Sequence, residues 1–248
     1  VVCRRQRQMC IRDSLDALKK LGAKIVLKNG YIEASAKKLI GTNINFEGIT
    51  VTGTENIMMA ATLAEGRTII KNAAKEPEII DLANMLNSMG AKIEGAGNET
   101  IIIEGVTNLT GTEFDIPADR IEAGTYLAAA AVTKGNITIE GINPTRLMKV
   151  IDKLKTAGAM INYTSNSISL NMTKEFPNPV NITTAPFPDF PTDMQAQFSV
   201  LNAISSGDSI VNETVFENRF MHILELNRMG CNIQVKGNRA YIKGVESL

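Results

Sequence analysis

Tryptophan is absent from the 248 residues, aromatics make up 5% of them, and there is a single histidine. So little stacking surface argues against a platform for nucleic-acid bases. The formal net charge is zero, which leaves no general attraction to a phosphate backbone. Long apolar runs are missing too. The longest candidate, Tyr126 to Val132, falls far short of the ~20 residues a membrane-spanning helix needs, and its alanines suit a buried helix. No metal-ligand cluster, phosphate-binding Walker loop or dinucleotide fingerprint stands out, so no cofactor is expected. Gly95-Ala-Gly97 leads into a strand-like run rather than a helix and reads as a hairpin turn.

Residues 1–14 differ in character from the rest of the chain. They hold four Arg and one Asp, and without them the chain has 22 basic and 25 acidic residues. They also hold two of the three cysteines, Cys3 and Cys10. A basic arm and a segment foreign to the domain both fit, and the lack of an amphipathic stripe favours the second. Cys231 then stands alone, which suggests no disulfide framework and fits a reducing cytoplasm.

What is present in abundance is repetition. Four segments share an amphipathic helix, a glycine break, a strand, a short turn and a second strand. They begin at Leu15, Glu78, Leu147 and Met221, and their break glycines are Gly22, Gly90, Gly158 and Gly230. Glycine there permits the left-handed conformation that closes a helix. Before each of the last three, another helix ends at Gly66, Gly135 or Gly207 and a strand succeeds it: TIIKN, NITIEG or SIVNET. Each repeat is thus expected to read strand, helix, strand, helix, strand, strand.

The earlier helix of each repeat is expected to start with a capping box: Thr52 with Glu55, Asp119 with Glu122, and Thr192 with Gln195. These helices (IMMAATLA, YLAAAAV, FSVLNAI) are apolar nearly all round, which predicts burial on every side and helices inside with sheets outside.

The stretches VTGTENIMMAATLAEG, DRIEAGTYLAAAA, FPTDMQAQF and ETVFENRFMH closely resemble the UDP-N-acetylglucosamine 1-carboxyvinyltransferases, from about Leu15 to Leu248. The resemblance implies an inside-out α/β barrel of repeated βαβαββ units in two domains, over residues 15–117 and 118–248. Both domains are expected to be incomplete, and the family's hinge strand would fall just before Asp119-Arg120-Ile121-Glu122. It also implies transfer of the enolpyruvyl group of phosphoenolpyruvate to the 3′-hydroxyl of UDP-N-acetylglucosamine, the first committed step of peptidoglycan synthesis, in the bacterial cytoplasm. A non-catalytic sugar-nucleotide-binding fragment and a relative of the 5-enolpyruvylshikimate-3-phosphate synthases are the alternatives.

Several residues inherit roles from that resemblance. Asp193 matches the aspartate at the sugar hydroxyl, where it would orient the hydroxyl and accept its proton; a helix-start carboxylate is the competing reading. Val215 matches a backbone contact to the nucleotide, against a plain strand residue. Arg219 matches an arginine on the phosphoenolpyruvate side, against a surface ion pair. Gly48, Ile49, Thr50 and Val51 fall where the family's nucleotide-contacting loop lies, but Gly48 stands where many members have lysine, and Thr50 replaces serine. Asp119, Arg120 and Glu122 suit capping and surface pairing better than a closing network. His222 and Cys231 suit packing. The reactive cysteine of the family is expected upstream of Leu15, and neither Cys3 nor Cys10 has its glycine-rich loop, so this stretch alone is expected to be inactive.

Overall fold

The computed structural model of the protein describes residues 2–173 and 175–248, without the side chains of residues 2–10. The roles considered for Cys3 and Cys10 therefore lie outside the described residues. The chain divides into two compact units between Ile116 and Pro117.

The first unit opens with helix α1 (Val2–Lys20), which runs unbroken past residue 14, and the hairpin β1 (Lys24–Lys28) and β2 (Tyr31–Ser35). A complete repeat comes next: β3 (Asn43–Asn45), α2 (Val51–Ala61), β4 (Arg67–Lys71), α3 (Pro77–Ser88), β5 (Lys92–Glu94) and β6 (Thr100–Glu104). Its sheet order is β3-β4-β6-β5, with β3 parallel to β4 and the other pairs antiparallel. Ile44, Ile70, Ile101 and Ile103 point inward from the sheet and pack with Ile57, Met58 and Ile79 of the helices. Alternation along the strands gives each its buried face.

In the second unit, α4 (Arg120–Val132), β7 (Asn136–Glu140), α5 (Met148–Ala157), β8 (Met160–Tyr163) and β9 (Ser167–Asn171) form one repeat with the sheet order β7-β9-β8. Another succeeds it: β10 (Ile182–Thr183), α6 (Gln195–Ala203), β11 (Asp208–Asn212), α7 (Met221–Arg228), β12 (Asn232–Lys236) and β13 (Arg239–Lys243). Its order β10-β11-β13-β12 reproduces that of the first unit, including the parallel first pair. The α4 repeat lacks the leading strand that the sequence predicts. Residues 105–119 form no strand; Pro117 has no N–H to donate, and β7 pairs only with β9 among the described residues.

The break glycines behave as expected, with φ of +98, +99, +105 and +107 at Gly22, Gly90, Gly158 and Gly230. At Gly158 the amide reaches Lys155 O at 2.9 Å, and that of Ala159 reaches Leu154 O at 3.1 Å, which occupies carbonyls left free at the helix end. Two other glycines serve a different need. A Cβ on Gly105 would run into the Ala64 carbonyl, and one on Gly244 into the Ser205 carbonyl, at equivalent joints of their repeats.

Of the three capping boxes only Asp119 caps its helix, accepting from Ile121 N at 2.7 Å and Glu122 N at 3.2 Å. Helix α2 starts one residue before Thr52 and is capped by Thr50. Thr192 lies in a short 3₁₀ turn, Thr192–Met194, and its hydroxyl goes elsewhere. Burial on every side fits α6, but α2 leaves Met59 and α4 leaves Tyr126 exposed, so an apolar composition did not enclose those two. Among the described residues no helix is long and apolar enough to cross a membrane.

Candidate functional site

The loop between β11 and α7 and the turn before α6 are tied together by one buried carboxylate. Glu213, 2% exposed, directly follows β11. Its Oε1 accepts from Thr184 Oγ1 at 2.8 Å, Val215 N at 2.9 Å and Phe216 N at 3.0 Å. Its Oε2 accepts from Thr192 Oγ1 at 2.8 Å and Gln195 Nε2 at 3.2 Å. A buried charge is tolerable only when its lone pairs are met in this way.

Around that centre lie the predicted residues of the second unit. Asp193 is exposed on the 3₁₀ turn, and its Oδ1 accepts from Arg219 Nη2 at 2.6 Å. Arg219 Nη1 donates to Thr192 Oγ1 at 2.8 Å, so a single guanidinium spans two neighbouring residues. Such a fork suits the planar, fixed donors of arginine. The guanidinium also stands over the Phe216 ring, 5.2 Å from its centroid. Neither the turn nor α6 uses Asp193 as a capping side chain. Val215 is an exposed loop residue, not a strand residue, and its N–H is taken by Glu213. Arg219 likewise sits in the loop rather than in a strand.

His222 lies near this group on α7, with its ring 6.4 Å from that of Phe220. Its Nε2 is buried with no hydrogen-bond partner among the described residues. Burial first, and the Arg219 charge second, push its pKa below the ordinary 6.5. A neutral, half-buried imidazole fits packing. Cys231 is buried, and burial raises its thiol pKa, which opposes thiolate chemistry.

Within the first unit, Gly48, Ile49, Thr50 and Val51 form the β3–α2 connection and the start of α2. Gly48 and Ile49 are exposed, whereas Thr50 is buried and its Oγ1 accepts from Gly53 N at 3.2 Å. The Thr50 hydroxyl therefore serves the helix start, and the exposed face of the loop belongs to Gly48 and Ile49. Arg120, at the start of α4, is buried with its guanidinium 5.8 Å from the Phe187 ring centroid.

Sequence reasoning missed Glu213, Thr184 and Phe216. A signal for Glu213 existed: Ser209, Val211 and Glu213 share one parity and are all buried, so an acid continued the inward face of a strand.

Two repeats of matching sheet order, with this polar frame inside the second, define an enolpyruvyl transferase fold. Residues 6–248 match the family EPSP synthase (3-phosphoshikimate 1-carboxyvinyltransferase), and the chain belongs to that family. Over 234 residues it is 54% identical to the UDP-N-acetylglucosamine 1-carboxyvinyltransferase of Hydrogenovibrio crunogenus (strain DSM 25203 / XCL-2), and over the same length 56% identical to that of Ruthia magnifica subsp. Calyptogena magnifica. Each match covers 94% of this chain and 56% of the relative, so the chain spans little more than half the length of those proteins. Among solved structures, the enolpyruvyl transferase NikO from Streptomyces tendae superposes with a TM-score of 0.83 at 20% identity, covering 94% of this chain and 58% of that one. An EPSP synthase from Acinetobacter baumannii gives 0.66 at 19% identity, covering 94% and 56%. At those identities the likeness shows the fold.

Proposed function

We propose that the full-length protein transfers the enolpyruvyl group of phosphoenolpyruvate to the 3′-hydroxyl of UDP-N-acetylglucosamine and releases inorganic phosphate, a step of peptidoglycan synthesis in the bacterial cytoplasm. The observation that carries this reading is the exposed Asp193 carboxylate, fixed at 2.6 Å to Arg219 on a turn anchored by Glu213. Asp193 accepts the proton of the sugar 3′-hydroxyl as that hydroxyl's oxygen forms a bond to C2 of phosphoenolpyruvate. The methylene carbon gains a proton from a separate acid. A base then takes a proton from the resulting methyl group as inorganic phosphate leaves, which restores the double bond. General-base help of this kind is worth roughly 10²–10⁴-fold.

The Val215 carbonyl is assigned to the nucleotide, because its N–H is already committed to Glu213. Arg219 is assigned to a substrate anion, with the Asp193 contact holding it in place beforehand. For the first unit, the exposed backbone of Gly48 and Ile49, with Thr50 and Val51 behind it, is assigned a nucleotide contact that lacks the lysine common in the family.

Phosphate release by the full-length protein with phosphoenolpyruvate tests the reading. Release is expected with UDP-N-acetylglucosamine and not with shikimate 3-phosphate. Release driven by shikimate 3-phosphate alone would replace this reading with the other branch of the family.

A further inference from the structure

We propose that Glu213 is a positioning residue for this reaction: its buried carboxylate locks the Asp193 turn to the Val215 loop, so that sugar hydroxyl and nucleotide are held in one register. The inference rests on the assignment of Asp193 to the sugar hydroxyl and of Val215 to the nucleotide.

One oxygen of Glu213 holds the loop and the other holds the turn. Oε1 takes the amides of Val215 and Phe216, and Oε2 takes Thr192, the residue before Asp193. Thr192 in turn accepts from the guanidinium that grips Asp193, which makes the sequence Glu213, Thr192, Arg219, Asp193 continuous in hydrogen bonds. Gln195 closes the ring by donating both to Glu213 Oε2 and to the Arg219 carbonyl, at 3.2 and 3.3 Å. The loop, the turn and the first residue of α6 thus share one acceptor.

The first unit supplies an internal control. There β3 pairs with β4 as β10 pairs with β11, and Phe46 N reaches Lys71 O as Thr184 N reaches Asn212 O. The residue after β4 is Asn72, in a left-handed conformation, where the residue after β11 is Glu213. The next loop meets α2 through a neutral bond, Ala74 N to Thr54 Oγ1 at 3.1 Å, and ends at Glu76, whose Oε2 accepts from Lys75 N at 3.0 Å. At the position that matches Glu213 by register, the first unit therefore has no acid. Burying a carboxylate is costly, and the second unit does so at the joint that also bears Asp193 and Val215. Geometric precision at a reacting group gives that cost a return, because small misplacement loses rate steeply.

The test uses the full-length protein with Glu213→Gln, Glu213→Asp and Thr192→Val. An amide in place of the carboxylate turns an NH₂ toward donors that need an acceptor, on one side or the other. For Glu213→Gln we expect kcat to fall by about 10- to 100-fold and KM for UDP-N-acetylglucosamine to rise. KM for phosphoenolpyruvate should hold, and Glu213→Asp should restore part of kcat. Thr192→Val, which leaves four of the five donors to Glu213 in place, should lower kcat in the same direction and covers the case in which Glu213→Gln does not fold. Amide hydrogen exchange in the unliganded variants should quicken at Val215 and Phe216 and in the Asp193 turn together. Variants that lose thermal stability while the folded enzyme keeps wild-type kcat and KM would overturn the proposal, as would exchange that quickens at one segment alone. A wild-type protein without turnover would instead overturn the functional reading, and the exchange coupling would still be read by itself.

Discussion

Arg219 Nη2 lies 2.6 Å from Asp193 Oδ1, and the same guanidinium reaches Thr192 Oγ1 at 2.8 Å. The carboxylate assigned to the reaction is therefore held by a fork that also grips the residue before it. Asp193→Asn should keep the turn in shape while removing the base. Phosphate release is expected to drop by roughly 10²–10⁴-fold, with UDP-N-acetylglucosamine binding by calorimetry changed far less. Retained turnover in that variant would assign the proton elsewhere.

Arg219→Lys separates charge from geometry. An ammonium cannot present the planar pair of donors that spans Asp193 and Thr192. A fall of about tenfold in kcat/KM is expected from the lost fork even with the charge kept. Steady-state kinetics at two salt concentrations would check it, since a loss of charge alone would respond to salt.

Stability should fall on acidification through His222. Its folded pKa lies below 6.5 because burial, then the Arg219 charge, disfavours the cation. The unfolded chain thus binds the proton more readily, and the stabilisation is complete above pH 6.5 and is lost as pH falls toward the folded value. Denaturant midpoints between about pH 5 and 8 should show this slope, and His222→Gln should flatten it.

Glu55 carries the opposite sign. Burial, followed by the nearby charges of Glu78 and Glu76, raises its pKa above 4.5. An acid raised in the folded state favours folding below its unfolded pKa, and that advantage is lost as pH rises through the folded value. Glu55→Gln should therefore raise the melting temperature at neutral pH and have no such effect below pH 4.5. The gain should stay under about 1 kcal/mol, because the site is partly solvated.

Glycines that look alike in the sequence should differ in cost. Gly158→Ala places a Cβ at φ +105 and should destabilise by about 1 kcal/mol. Gly105→Ala and Gly244→Ala drive a Cβ into a backbone carbonyl that cannot step aside, so about 2–3 kcal/mol is expected for each. Urea denaturation of the three variants checks the order.

The repeat and its break glycines were legible because helix closure requires a left-handed residue, and that need leaves glycine at a fixed place in each repeat. The hinge strand was not, because a strand exists only when a neighbour accepts its bonds, and the partner of β7 on that side is not written in the local sequence. Capping boxes misled at Thr52, where Thr50 two residues earlier caps the helix, and at Thr192. At Thr192, a hydroxyl and an amide at the right spacing do not determine whether Glu213, far along the chain, claims the hydroxyl first. Asp193, Val215 and Arg219 were proposed from their strings, yet the acid that joins them was not, since its contacts arise from tertiary convergence of Thr184, Thr192 and Gln195. Glycines such as Gly105 and Gly244 also went unnoted, since close backbone approach leaves no local pattern.

A crystal structure of full-length Asp193→Asn with UDP-N-acetylglucosamine and phosphoenolpyruvate bound tests the central claim most directly. The sugar 3′-hydroxyl is expected within about 2.6–3.2 Å of the residue 193 side chain, with the nucleotide against the Val215 carbonyl. A sugar bound elsewhere, with residue 193 and Val215 free of it, would contradict both assignments.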